Sequence, residues 1–246
     1  MIKLIKDRVR FGGLVIGKIR AILAALAMPF LLVACANSAQ STASAPSKAD
    51  WHEYVVYRID GDRYISIRSP QKCDGYLDGD VYYNDVGRGV HTFVSSTGSM
   101  GNGLYGGYYA VRSSSKYIAI PSRSESERRG GLLHINYSHD GGRTFQWFLL
   151  GSDSKDYALI QVENYLYFTQ FDRDNPSDYS DRSGFVLDIN QEMDPEISHY
   201  DNTAMPFARY GKPIARRQIP LNMKSPSGAT HWTCPATPKD LTSPNE

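Results

Sequence analysis

Between Trp51 and Cys234 apolar and polar residues alternate with a period of two rather than 3.6, which predicts half-buried strands instead of amphipathic helices. EYVVYRI (53–59) and RYISIRS (63–69) flank Asp60-Gly61-Asp62, a hairpin-like turn. DVYYN, GVHTFVS, YGGYYAVR and KYIAIP follow, separated by clusters of Gly, Ser and Asn. GLLHINYS (131–138), TFQWFLL (144–150), YALIQVE (157–163), YLYFTQF (165–171) and GFVLDIN (184–190) complete eleven expected strands. One short helical turn fits QEMDPEISHYDN (191–202). The expected fold is all-β: antiparallel hairpins forming a β-sandwich or a small or partial β-propeller. The 17 tyrosines suit strand faces that bury a ring and keep a hydroxyl near water.

The first 34 residues break this pattern. A basic start (Lys3, Lys6, Arg8, Arg10, Lys18, Arg20) leads into AILAALAMPFLLVA, residues 21–34. That run is shorter than the roughly 20 apolar residues needed to span a bilayer. It fits the apolar core of a signal peptide instead. Leu32-Val33-Ala34-Cys35 matches a lipobox, in which small residues fit the peptidase and the Cys35 thiol takes the diacylglyceryl group. The basic stretch is long enough that the start codon is expected downstream of Met1. Several acyl chains hold a protein firmly where one does so marginally. Ala36, in place of the Asp that retains lipoproteins at the inner membrane, favours the outer membrane, on its periplasmic leaflet. The expected organisation is a signal peptide (1–34), a lipidated Cys35 with a flexible tether (35–50), an all-β domain (51–234) and an unstructured tail (235–246). The tether, ANSAQSTASAPSKAD after the cysteine, has too little apolar mass to fold.

Removing residues 1–34 changes the charge from +1 to −4, with 21 basic and 25 acidic residues left. That argues against a nucleic-acid partner, which needs a concentrated basic face. Cys73 and Cys234 remain; in an oxidising compartment a disulfide is expected, with two buried free thiols as the alternative.

Ser138-His139-Asp140-Gly141-Gly142-Arg143-Thr144-Phe145 fits the Asp-box pattern S-x-D-x-G-x-T-[FW]. Asp140 is placed to accept backbone N–H groups of its own turn. Gly142 supplies a backbone reversal. The Ser138 and Thr144 hydroxyls close the loop, and Phe145 anchors the departing strand. The expected role is structural. A sialidase propeller is excluded by length: six blades of roughly 40 residues need about 240, against 184 between Trp51 and Cys234.

Catalytic and cofactor signatures are missing. Gly101-Asn102-Gly103-Leu104-Tyr105-Gly106 is formally GxGxxG but precedes a strand-like segment rather than a helix. There is no nucleophile elbow and no P-loop. His52, His91, His134, His139, His199 and His231 lack zinc-ligand spacing. The acidic loop FDRDNPSDYSDRSG (171–184) places Ser177 and Ser183 where a calcium loop needs Gly and Glu. No enzyme activity, metal or cofactor is expected. The same loop, through Asp172, Asp174, Asp178, Tyr179 and Asp181, is the expected partner-binding segment, with Tyr179 as an aromatic anchor. RSESERRGG (123–131) reads as a second, mixed-charge loop.

A lipobox, a short tether, YVVYRIDGDRYISI, a cysteine before Gly-Tyr-Leu, KYIAIP and a single SHDGGRTF stand in order. In this the chain resembles the periplasmic immunity lipoproteins of type VI secretion lipase effectors, Tli-type, third group. The resemblance implies a stoichiometric inhibitor, lipid-anchored in the membrane, that binds a cognate antibacterial phospholipase. Two other readings remain open: a non-enzymatic envelope scaffold, and a carbohydrate-binding domain suggested by the Asp box and the tyrosines.

Overall fold

The eleven alternating segments become strands, and a twelfth is added, in the computed structural model, which describes residues 50–97, 103–126, 130–152, 157–171, 184–193 and 210–235. The chain divides into two units, Met1–Ser44 and Ala45–Glu246, and every described residue belongs to the second. The first sheet is a meander of β1 (His52–Arg58), β2 (Arg63–Ser69), β3 (Asp80–Asp85) and β4 (Val90–Ser96), paired antiparallel in chain order. A second meander contains β6 (Ile118–Ser126), β7 (Gly130–Ser138) and β8 (Gln146–Ser152). The third sheet has the order β12 (Lys212–Ile214), β11 (Gly184–Asp188), β10 (Tyr165–Gln170), β9 (Tyr157–Val162) and β5 (Tyr108–Arg112). The fold is all-β, a sandwich-like arrangement of open sheets.

Three features depart from the sequence reading. β5 pairs with β9 in parallel, Ala110 opposite Ile160. Parallel neighbours need a long crossover, and here the whole β6–β8 meander supplies it. β12 is an added strand of three residues, with Pro213 opposite Phe185 on the sheet edge, where a missing N–H is tolerated. RSESERRGG is not simply a loop: β6 continues to Ser126 and β7 begins at Gly130, with Ser124 opposite Leu132.

One main core draws on all three sheets. Val56, Ile59, Ile65, Ile67, Val81 and Tyr83 come from the first sheet and its turns. Ile118, Ile120, Leu133, Ile135 and Phe148 come from the second, and Tyr109, Val111, Leu159, Phe168 and Leu187 from the third. β5 and β9 are buried on both faces, because Ala110 and Ile160 point into a smaller cluster with Ile219. This is why their sequences read as nearly continuous apolar runs. Buried Gln161 ties the sheets together: it accepts from Ala119 N at 2.8 Å and donates to Glu163 O at 2.8 Å.

β1 and β5 are edge strands of their sheets, and an unpaired edge is an aggregation hazard. Residues 225–234 run as a strap between them. Ser227 N donates to Ile59 O, Thr233 N to Val56 O, and Tyr109 N to Thr230 O. The Tyr57 hydroxyl bridges the seam to Tyr109 O at 2.9 Å and contacts Ser225 Oγ at 2.6 Å. Burial drives the Tyr57 pKa well above the usual phenol range, outweighing the Ser225 hydrogen bond. Trp232 packs edge-on against Tyr105 and Tyr109. A Cys73–Cys234 disulfide, with Cα atoms 5.5 Å apart, fastens the end of the strap.

Candidate functional site

Strand direction sorts the connections into two groups. The β1–β2, β3–β4, β5–β6, β7–β8 and β9–β10 connections lie at one end of the sheets. The start of β1, the β2–β3 loop carrying Cys73, and the β10–β11 connection lie at the other.

At the first end three turns share one design, Asp-x-x-Arg: Asp60-Gly61-Asp62-Arg63, Asp85-Val86-Gly87-Arg88 and Asp140-Gly141-Gly142-Arg143. In each, the aspartate Oδ1 accepts the N–H of the arginine three residues later, at 2.7, 3.1 and 3.0 Å. A short side-chain acceptor in this position reproduces a backbone turn, so the chain reverses without an unpaired N–H. Asp60 also takes Asp62 N at 3.0 Å and Arg63 Nε at 2.7 Å. Burial works to raise the Asp60 pKa, but these Arg63 and Asp62 interactions together hold it below the usual carboxylate value. Asp85 caps a single 3₁₀ turn that ends on Gly89 in the left-handed conformation, φ 61°.

The third turn brings together Ser138, Asp140, Gly142, Thr144 and Phe145. Ser138 Oγ donates to Asp140 Oδ1 at 2.8 Å and accepts Gly142 N at 2.8 Å. Asp140 also accepts Thr144 N at 3.0 Å and Thr144 Oγ1 at 2.6 Å. Burial alone would raise its pKa, yet the donors from Thr144, Ser138 and Arg143 prevail and hold it at about 2. Gly141 and Gly142 take φ of +82° and +79°. A Cβ on Gly142 would sit 2.2 Å from the Tyr83 ring, so this glycine answers both to backbone and to packing. Phe145 lies edge-on to Tyr83 with centroids 6.0 Å apart.

Two arginines join these turns to the rest of that end. Arg88 Nη1 donates to Ser115 O at 2.7 Å and Gly141 O at 3.1 Å, and lies 3.5 Å from Asp85 Oδ2. Arg63 Nη1 donates to Ser114 O at 3.2 Å. Ser114 N in turn donates to Glu163 Oε2 at 3.0 Å. Glu163 holds φ of +49° and closes the β9–β10 turn, its own N donating to Arg112 O. All three sheets are therefore linked through side chains at this end.

Between the turns lies a cleft of about 600 Å³ lined by Asp60, Asp62, Arg63, Asp85, Arg88 and the Ser113–Ser115 loop, with Gly61 and Gly87 between them. The fully buried Tyr83 hydroxyl, which does not line the cleft, has no hydrogen-bond partner. Desolvation pushes its pKa up to about 12, while the opposing charges of Arg63, Asp85, Arg88 and Asp60 act on it in turn.

The other expected residues fall elsewhere. Cys73 and Cys234 are bridged at the opposite end. Cys35 lies outside the described residues, as do Asp172, Asp174, Asp178, Tyr179 and Asp181. The strand ends that flank the latter group, Gln170 and Gly184, are at the end opposite the cleft. His134 bonds Ser124 Oγ beside Trp147, whereas His139 lies at the third turn, 3.5 Å from Glu192. Sequence reading missed the cleft residues Asp60, Arg63, Asp85 and Arg88, although the Asp-x-x-Arg spacing, repeated three times between residues 51 and 234, was a usable signal.

No curated protein matches the chain. A family model described as T6SS Tli3 immunity protein matches residues 49–170, the stretch from β1 through β10 that includes Cys73 and all three Asp-x-x-Arg turns. Over that stretch the chain matches the Tli3 family of type VI secretion immunity proteins, which supports a Tli-type immunity protein.

Proposed function

We propose that the chain is a periplasmic immunity lipoprotein that binds and neutralises a cognate type VI secretion phospholipase. The family match over residues 49–170 carries this reading. The sequence adds an export signal over residues 1–34, a lipobox ending at Cys35 and a polar tether to residue 50. Lipid attachment at the inner leaflet of the outer membrane keeps the inhibitor beside incoming toxin and its lipid substrate. The role is binding rather than catalysis, and the Ser138–Phe145 turn, read as an Asp box, is a staple for the fold. The acidic loop with Asp172, Asp174, Asp178, Tyr179 and Asp181 is a proposed toxin contact.

The test is co-purification of the full chain, solubilised in detergent, with the product of the adjacent gene, alongside a phospholipase assay. A stable complex with lost lipase activity is the expected result. Absence of a complex, with lipase activity undiminished, overturns the proposal.

A further inference from the structure

The cleft between the Asp-x-x-Arg turns contains one charge that the fold does not use. Arg63 is engaged by Asp60 and Ser114 O, and Arg88 by Asp85, Ser115 O and Gly141 O. Asp60 and Asp85 are matched by those arginines and by the backbone donors of their own turns. Asp62 is different. Its backbone serves the turn, donating to Asp60 Oδ1 and accepting Val86 N, but its carboxylate makes no hydrogen bond or ion pair among the described residues. The carboxylate nonetheless does not point away from the protein: it lies over Gly87, where a Cβ would come within 3.3 Å of Oδ2. Two arginines against three aspartates leave the cleft with a net charge of −1, located on Asp62.

The Tyr83 hydroxyl is buried close enough to feel the charges of Asp60, Arg63, Asp85 and Arg88, and it lacks a partner. A buried hydroxyl without a hydrogen bond costs stability, but Tyr83 does not line the cleft, so recognition there falls to the cleft's own residues. The walls also include Ser114, Ser115 and Asp85, whose second oxygen Arg88 holds at 3.5 Å. The set is rich in acceptors, and its one unmatched charge is negative.

The geometry points to this cleft as the receptor for a basic side chain, a lysine or arginine of the cognate effector, with Asp62 as its charge partner. The assignment rests on the immunity reading above and names the chemistry of its interface. It places the contact at the end of the sheets opposite the strands flanking the acidic 172–181 loop. The surrounding turns are already tied to one another, so little ordering is required when the side chain docks.

The test measures binding of the full chain in detergent to the adjacent-gene effector, for wild type, Asp62→Asn, Asp62→Lys and, as a control for charge reversal, Asp74→Lys in the exposed β2–β3 loop at the opposite end of the sheets. Asp62 contributes only backbone to its turn, so unchanged thermal midpoints are expected for both Asp62 variants. Asp62→Lys is expected to weaken binding about tenfold or more, largely through a slower on-rate, and to flatten its dependence on salt. Asp62→Asn gives a smaller loss in the same direction. A Lys→Glu or Arg→Glu change in the effector that restores binding to Asp62→Lys identifies the partner side chain. Wild-type binding with Asp62→Lys equally tight overturns the cleft assignment and leaves the immunity reading standing. Failure of wild type itself to bind or inhibit removes both.

Discussion

Reduction of the Cys73–Cys234 disulfide is the most informative perturbation of the fold, because it separates covalent from non-covalent closure of the same seam. The bridge spans 161 residues. By loop-closure entropy, a cross-link over that length removes about 5 kcal/mol of unfolded-state freedom at 25 °C. For a domain of this size, each kcal/mol moves the melting midpoint by about 2–4 °C, so the shift on reduction is about 10–20 °C. The strap should stay in place at room temperature, since Ser227, Thr230 and Thr233 still bond β1 and β5 and Trp232 remains packed on Tyr105 and Tyr109. The assay is thermal unfolding with and without a phosphine reductant, repeated on a Cys73→Ser/Cys234→Ser double variant to exclude thiol chemistry. A midpoint that moves by less than about 3 °C in both refutes the reasoning. It would mean that the unfolded chain is already confined, or that the strap alone fixes the seam.

Three further outcomes follow from the turns and the buried phenols. Gly142→Ala places a methyl group against the Tyr83 ring at φ +79° and should cost about 3 kcal/mol in urea unfolding, from backbone strain and overpacking together. Gly141→Ala meets only the end of the Arg88 side chain and should cost about 1–2 kcal/mol, so the reverse order would sink the packing account. The depressed pKa values of Asp140, about 2, and of Asp60 give stability that is fully present above the unfolded carboxylate value and lost as pH falls through the folded one. Acid titration followed by circular dichroism should therefore be flat above about pH 4 and decline toward pH 2, less steeply in Asp140→Asn. Tyr57, Tyr83 and Tyr109 have pKa values raised chiefly by burial, so their contribution is fully present below the unfolded value near 10 and is lost as pH rises through 12 and beyond. Tyrosinate absorbance should show Tyr57, Tyr83 and Tyr109 ionising only with loss of the strand signal.

Much of the fold was legible because a period of two reports strand and face directly. β2 follows RYISIRS residue for residue, and eleven expected segments each became a strand. What alternation does not carry is direction. YYAVR and YALIQVE look the same whether they pair parallel or antiparallel, and only the length of chain between β5 and β9 makes the parallel pair possible. Charge misled at RSES, because β6 is an edge strand and an edge accepts charged side chains that a central strand would not. KPI was missed because three residues with a proline fall below any periodicity. Its place was decided by the Phe185 and Gly184 backbone beside it rather than by its own sequence.

The candidate site was harder to read for a related reason. A turn with Asp, Gly and Arg signals a reversal, and taken singly each of the three is sufficiently explained by its own capping bonds. Their joint meaning depends on two long-range facts: that strand direction brings all three to one end, and that Arg63 and Arg88 reach across to the Ser113–Ser115 loop and Gly141. Neither fact is local. The family stretch, residues 49–170, contains every cleft residue and the side-chain links between the sheets, but not all of the closure of the domain. Leu187, Ile189 and Trp232 complete the main core from beyond it, and the strap from Ser225 to Cys234 satisfies the β1 and β5 edges that the stretch leaves open. The first 120 residues of the domain hold the cleft's acceptors and its unmatched carboxylate, and the final strap holds β1 and β5, the edge strands that lead into the Asp60–Arg63 turn and the Ser113–Ser115 loop, at a fixed spacing.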